Sequence, residues 1–202
     1  MLIMSRKLFA IMIFLWAVVQ GMPSHPHVLI TNRLTLVFNE QGLKGIGVSW
    51  DFSGVFNGMI KQNFDLDGNG SLSDSEVALV EKGAFSNLKN FNYFTSLEVN
   101  GKAQQFAAPI EFHARLYEGQ VYYSFFIPFE LKAKRRKTEL RISMKDETYY
   151  SEIRMRLEEP ILFENSGSYD LEYHIARQSF DTVDWGQQTG DAVVIKFKNK
   201  KN

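Results

Sequence analysis

The sequence contains no cysteine, and this absence excludes disulfide bonds as a source of stability. A chain of 202 residues is long enough to bury a substantial hydrophobic core. A protein without disulfides must hold its fold by core packing or by a bound metal ion. Any metal-binding motif in this chain is therefore a candidate for a structural role.

The sequence also lacks the features of two large functional classes. Its 23 basic and 23 acidic residues give a formal net charge of zero, whereas nucleic-acid binding requires a clear basic excess. We therefore expect no nucleic-acid partner. The nucleophile elbow, the phosphate-binding Walker loop, the H-E-x-x-H zinc motif and the Cys–His pair are all missing. We predict that the protein is not an enzyme.

A long hydrophobic run is missing too, since the apolar stretch at residues 8–19 is shorter than the roughly 20 residues that a transmembrane helix needs. Basic residues precede this stretch and small or turn-forming residues follow it, as in secretory signal peptides. We interpret residues 1–24 as a signal peptide, cleaved after Gly21 or Ser24; the alternative is an uncleaved membrane anchor. The mature chain is then periplasmic, has no transmembrane span and forms a single β-rich domain at residues 25–202.

Alternating hydrophobic residues predict strands over most of the remaining chain. Turn-forming residues at positions 39–42, 100–101 and 118–120 predict three hairpins. Between these regions the hydrophobic spacing changes to that of two amphipathic helices on either side of an acidic loop. The predicted fold class is α+β: a mainly antiparallel β-sandwich with an EF-hand-like helix–loop–helix inserted at about residues 53–91.

The acidic loop, DLDGNGSLSDSE at residues 65–76, matches the complete pattern of an EF-hand calcium loop. Alternate residues of such a loop point inward, and calcium requires about six to eight oxygen ligands. Gly70 lies at the sharp turn, where a positive φ favours glycine. The alternative is a solvated acidic turn without an ion. The predicted calcium ligands are Asp65, Asp67, Asn69, Ser71 through its carbonyl oxygen, Ser73 and Glu76.

The loop stands alone in the sequence, which bears on its role. Sensor EF-hands normally occur in pairs and expose a groove when calcium binds, and no second loop of this pattern is present. Extracellular calcium modules bind with dissociation constants of about 10⁻⁴ to 10⁻³ M. We therefore expect a structural clip that ambient calcium fills, rather than a switch that responds to transients.

The histidines offer a second type of metal ligand. His25 and His27 would share one face of a strand after the predicted cleavage point, so both imidazoles could bind one nickel, cobalt, zinc or copper ion. Two ligands do not complete a coordination shell, and an exposed strand end is an equally weighted alternative. His113 and His174 lie on predicted strands, where a packed or surface role is favoured; the sequence leaves open whether either joins a metal site.

Several blocks of the sequence together resemble one bacterial family. They are HPHV at residues 25–28, VSWDFS at 48–53, DLDGNGSLS at 65–73, AFSNLKNFNYFT at 84–95, FHARLYEGQVYYSFFIP at 112–128 and DETYY at 146–150. In these blocks the chain is similar to domain-of-unknown-function family 1007, which is described as the periplasmic component of an uncharacterised ABC-type transport system. The resemblance implies nickel, cobalt or zinc transport, an inner-membrane metal transporter as partner, and metal-handling roles for His25 and His27.

The sequence thus predicts an exported periplasmic calcium-binding protein that is an accessory component of transition-metal transport. The mature chain is too short for the two lobes of a typical solute-binding protein, which favours an accessory role over substrate capture. The alternative is a calcium-dependent envelope interaction module with no transport role. Its support is the aromatic strands, since residues 121–126 and 148–150 could line a groove. An enzyme with a metal at the histidines has the least support.

Overall fold

The computed structural model describes residues 26–200, which form two β-sheets and a short helical region. The strands of the first sheet are β1 (Val28–Asn39), β2 (Gly42–Gly54), β5 (Ile110–Tyr117), β6 (Gln120–Lys132), β8 (Ser151–Met155) and β9 (Ile161–Glu164). Those of the second sheet are β3 (Thr95–Val99), β4 (Lys102–Gln104), β7 (Thr138–Met144), β10 (Tyr169–Asp181) and β11 (Gln187–Asn199). The first sheet has the order β5-β6-β2-β1-β8, with β9 also paired to β1, and the second has the order β10-β11-β7-β3-β4.

The three predicted hairpins are confirmed. The pairs β1–β2, β3–β4 and β5–β6 are antiparallel, and each turns at the predicted position. The first sheet is not a simple antiparallel meander, because β8 and β9 both run parallel to β1. They lie beside successive parts of it, at residues 28–32 and 34–37, so two short strands share one edge of the sheet. The fold is mostly β and belongs to the predicted α+β class.

One hydrophobic core lies between the two sheets. Phe38 of β1 packs 5.5 Å from Phe197 and 5.0 Å from Tyr169, measured between ring centroids, and both partners belong to the second sheet. The hydroxyl of Tyr169 donates a hydrogen bond to the carbonyl oxygen of Asn39 at 2.6 Å. The alternation of buried and exposed residues along the strands therefore directs the large aromatics into a shared interior.

The helical region lies between β2 and β3, as predicted. It contains α1 (Val55–Phe64) and α2 (Asp74–Gly83), which flank the acidic loop. Each helix buries one fully enclosed aliphatic side chain, Ile60 in α1 and Val80 in α2. These two residues belong to the same core as the strands, so the helices pack on the sheets rather than standing apart from them.

The second helix is shorter than the hydrophobic spacing predicts. The periodic pattern extends to Phe91, but the helix ends at Gly83 and 3₁₀ turns follow over Phe85–Phe94. The reason is tertiary packing, since Phe85 stacks on Phe112 of β5 at a centroid distance of 4.3 Å. Aromatic burial thus bends a segment that would otherwise continue the helix, and Phe91 remains half exposed.

The signal-peptide prediction falls on residues outside the described part of the chain. No helix within residues 26–200 combines the length and the apolar character needed to cross a membrane. The domain boundaries at residues 1–24 and 25–202 stay predictions.

Candidate metal centre

The acidic loop connects α1 to α2, and its geometry is fixed at both ends. Asp65 caps the C-terminus of α1, where its N–H donates to the carbonyl oxygen of Lys61 at 3.3 Å. Ser73 is the N-cap of α2 and forms a capping box with Glu76. Gly70 has a φ of 82°, in agreement with the turn predicted there. Helix termini therefore hold Asp65 and Glu76 in place.

Three carboxylates converge in this loop. Asp65, Asp67 and Glu76 each offer one oxygen, and these oxygens lie within 4.8 Å of one another. Asp65 and Glu76 are buried, with 8% and 4% of their surface exposed, whereas Asp67 is exposed. Ionised carboxylates at this separation repel each other, and a divalent cation between them would convert that repulsion into attraction.

One carboxylate oxygen of Asp65 is buried and accepts no hydrogen bond from a described residue. Its Oδ2 accepts a hydrogen bond from the Gly70 N–H at 3.1 Å. Its Oδ1 is buried, and no described residue donates a hydrogen bond to it. A buried acceptor without a partner costs roughly 1–3 kcal/mol, and more when it is charged. A hard cation such as calcium, which prefers carboxylate oxygens, fits this atom.

Glu76 is held in its charged form by the loop itself. Its Oε1 accepts a hydrogen bond from the Leu66 N–H at 2.6 Å, and its Oε2 accepts from the N–H and the hydroxyl of Ser73, both at 2.8 Å. These donors, the Ser73 N–H first among them, lower the pKa of Glu76 below its usual value. The carboxylate is therefore ionised at neutral pH, as a calcium ligand must be.

The other predicted ligands lie on the same loop and hydrogen-bond to their neighbours. The Oδ1 of Asn69 accepts from the N–H of Ser71 at 2.8 Å and from its hydroxyl at 2.6 Å. The side-chain amide of Asn69 donates to Oδ2 of Asp67 at 2.7 Å. An ion in the loop would replace part of this network. The assignment of all six residues, Asp65, Asp67 and Glu76 included, as calcium ligands stays a prediction.

The histidines are dispersed over the fold. His25 lies outside the described residues, and the ring of His27, just before β1, is centred 5.1 Å from the ring of Tyr150. His113 is on β5, separated from β1 by β6 and β2, and His174 is on β10 of the other sheet. In the described part of the chain, no group of three close metal-ligating side chains contains a histidine. The assignment of His25 and His27 as ligands of a transition-metal ion stays a prediction.

A cavity of about 390 Å³ beneath the helices is a feature that the sequence indicates only in part. Tyr123, Thr148 and Tyr150 line it, in the two aromatic stretches that the sequence suggests as a groove. Phe56 and Leu88 line it from the helical region. No local pattern in the sequence indicates that Phe56 and Leu88 line a cavity, because their position there depends on how the helices pack over distant strands.

Comparison with known sequences places the chain in an established family. The family is described as Protein of unknown function (DUF1007), and its match covers residues 10–182. The chain belongs to this family, which confirms the membership that the sequence blocks predict. The description of the family as a component of a transport system stays a prediction for this chain.

A curated relative is similarly uncharacterised. An uncharacterized 15.5 kDa protein in the trpE 3' region of Spirochaeta aurantia is 35% identical over 89 residues. The aligned region is 44% of this chain and 63% of that protein, so the chain spans less than two thirds of the relative's length. The relative's description gives no activity, and the candidate site must be interpreted from its own geometry.

Proposed function

We propose that the protein is exported to the periplasm and binds one calcium ion in the loop at residues 65–76. The observation that carries this proposal is the convergence of Asp65, Asp67 and Glu76 around a buried Asp65 oxygen that lacks a described donor. Asp65 and Glu76 are already positioned by helix ends. Binding then needs local changes in side chains rather than a new backbone arrangement.

The proposed role of the ion is structural and involves no catalysis. Ile60 and Val80 are the fully enclosed aliphatic side chains that anchor the two helices, so the helical region has a small share of the core. Calcium would tie the end of α1 to the start of α2. At about 10 to 100 times the dissociation constant, such an ion stabilises the folded state by about 1.4–2.7 kcal/mol.

An Asp65→Ala variant tests the calcium site. We expect the wild-type protein to melt several degrees higher in about 10 mM calcium than in excess chelator, because the ion binds the folded state. The variant, which lacks the buried carboxylate, should melt at the same temperature in both conditions. Thermal unfolding followed by circular dichroism provides the measurement.

Asp74→Ala is the matched control for this experiment. Asp74 is an exposed carboxylate at the first position of α2 and lies at none of the predicted ligand positions. This variant should keep the calcium response. Equal melting temperatures of the wild-type protein in calcium and in chelator would contradict the proposal.

We further propose an accessory role in transition-metal transport, in which His25 and His27 bind nickel, cobalt, zinc or copper and the partner is an inner-membrane transporter. The support is the pair of histidines at positions 25 and 27, together with the transport association implied by the resemblance. Imidazole nitrogen is a preferred ligand for each of these metals. Calcium binding and transition-metal binding are then separate properties of one chain.

Replacing both His25 and His27 with alanine is expected to weaken transition-metal binding at least about tenfold, since even outer-shell partners of a metal ligand are worth that much. Isothermal titration with each of the four metals compares this double variant with the wild-type protein. His174→Ala, which changes an exposed histidine on β10, should leave the affinity unchanged. Equal affinities of the double variant and the wild-type protein for all four metals would overturn the assignment.

A further inference from the structure

The cavity beneath the helices reaches the hydrophobic core. Its volume is about 390 Å³, within the range of about 300–1,000 Å³ that is typical of small-molecule sites. Ile30, Trp50 and Phe52 line it from the first sheet, and each of them is at most 5% exposed. Phe85 and Leu88 line it from the helical region. Core residues therefore form the floor of this cavity.

The surface of the cavity is almost entirely apolar. Asp146 belongs to the wall, but both of its carboxylate oxygens are engaged within the protein. Its Oδ1 accepts hydrogen bonds from the N–H and the hydroxyl of Thr148 at 2.9 and 2.6 Å, and its Oδ2 accepts one from the Ser151 N–H at 3.0 Å. The indole nitrogen of Trp50 and the hydroxyl of Tyr123 are themselves buried. A ligand in the cavity therefore meets almost no accessible polar atom.

Water is a poor occupant of such a space. A buried water typically makes about three hydrogen bonds to polar groups, and this wall offers almost none. Replacing poorly ordered water with an apolar group increases affinity. A hydrocarbon gains further with each methylene group that it buries. The cavity therefore favours a hydrocarbon over a polar molecule of the same size.

Apolar side chains continue from the cavity to the surface of the protein. Met59, Phe91 and Tyr150 line the cavity, and each of them is half exposed. Large apolar side chains at the rim of an apolar space are common where a ligand enters and covers them. A polar group at the end of a bound chain can remain in water at this rim.

The size of the cavity separates two classes of occupant. Each partner in a stable protein–protein interface buries about 800 Å², and the surface of this cavity is far smaller. A folded partner that covered only this patch would be held weakly. A small molecule, in contrast, can bury most of its own surface in a cavity of this volume.

We propose that this cavity binds the hydrocarbon tail of a single-chain amphiphile. The tail lies on the aromatic floor, and the head group remains in solvent beside Met59 and Phe91. The exposed rim supports this orientation, since it continues the apolar surface from the core to the solvent. The inference is independent of the calcium proposal, because none of the three clustered carboxylates lines the cavity.

A series of alcohols tests the dependence on the tail, by isothermal titration of protein produced from the full-length sequence. From butan-1-ol through hexan-1-ol to octan-1-ol, we expect the affinity to rise by up to about fourfold for each added methylene group. The physical reason is that each methylene buries more apolar surface against the floor. Absence of octan-1-ol binding, or an affinity that does not rise with chain length, would overturn the proposal.

A second series tests the position of the head group. Octylamine, octan-1-ol and nonanoate share one octyl tail and carry a cationic, a neutral and an anionic head group. Because the head group remains in water, we expect the three affinities to agree within about tenfold. A larger preference for one head group would contradict the proposed orientation.

Bromine locates the tail, because a bromine atom close to an indole ring quenches its fluorescence. Trp50 lines the floor and has no exposed surface. Nonanoate brominated at its terminal carbon should quench Trp50, and nonanoate brominated beside its carboxylate should quench it much less. The same titrations of Trp50→Phe give the background from the other tryptophans. Equal quenching by the two brominated ligands, or unchanged quenching in Trp50→Phe, would overturn the assignment.

A cavity-filling variant provides an independent location of the tail. Ala84→Leu adds volume inside the cavity and should weaken octan-1-ol binding at least about tenfold, because the new side chain occupies space that the tail needs. Ala108→Leu makes the same change at an exposed position and should bind as the wild-type protein does. Unchanged binding by a folded Ala84→Leu would contradict the assignment. If Ala84→Leu does not fold, the bromine measurement decides the location.

Discussion

Replacing Trp50 with alanine is expected to lower the free energy of unfolding by about 3–5 kcal/mol, the range for removal of a large buried aromatic side chain. Trp50 has no exposed surface and lies on β2, directly opposite Tyr123 of β6. Its ring packs edge-on against Phe125 at a centroid distance of 4.9 Å and lies 6.1 Å from Phe94. Its removal would also enlarge the cavity that it lines.

Trp50→Phe is the matched control for this prediction. The indole nitrogen of Trp50 has no hydrogen-bond partner among the described residues, so phenylalanine removes volume but no hydrogen bond. We expect a clearly smaller loss for phenylalanine than for alanine. Urea denaturation measures both variants, with calcium at one fixed concentration. Equal losses would mean that the aromatic contacts of Trp50 contribute little.

The parts of the fold that the sequence predicts are those with local causes. The hairpin between β3 and β4 turns at Asn100–Gly101, and both residues have a positive φ, which is the conformation that this residue pair favours. The alternation along β1 likewise determines which of its side chains are buried. Each of these features depends on residues close together in the sequence.

The features that the sequence does not predict depend on contacts between distant residues. β9 contains four residues, too few for a periodic signal, and it is defined by parallel pairing with β1 more than a hundred residues earlier. The basic segment at residues 133–137 lies between two consecutive strands, β6 and β7, but these strands belong to different sheets, so the segment crosses from one sheet to the other. Which strands become neighbours therefore depends on how the whole core packs, and local sequence does not determine it.

The carboxylate cluster and the cavity differ in the same way, because only the cluster is formed by residues close together in the sequence. The carboxylate cluster is encoded within the segment from Asp65 to Glu76, so the spacing of its residues predicts that they converge. The cavity instead combines Asp146 with aromatics from two strands and the helical region. Asp146 lies in the DETYY block, and its position in the wall of the cavity emerges only when the helices pack over the first sheet.

Replacing Ile60 with alanine is expected to lower the free energy of unfolding by about 2–5 kcal/mol, because it opens a cavity at a fully enclosed site. Ile60 is the buried residue of α1 and belongs to the core that the strands share. The same change removes much of the packing that holds α1 on the sheet. The helix should therefore also unfold locally at a lower free-energy cost than the strands.

Denaturation and amide hydrogen exchange together test both parts of this prediction. In Ile60→Ala, the amides of α1 should lose more protection than those of β2 and β6, which remain paired along their length. Leu79→Ala on α2 is the control, since Leu79 is 44% exposed and surface substitutions usually change stability by less than about 0.5 kcal/mol. A uniform loss of protection across helices and strands would show that the helical region unfolds only with the whole domain. The acidic loop would then belong to a single cooperative unit, and an ion bound there, as proposed, would stabilise the sheets as much as the helices.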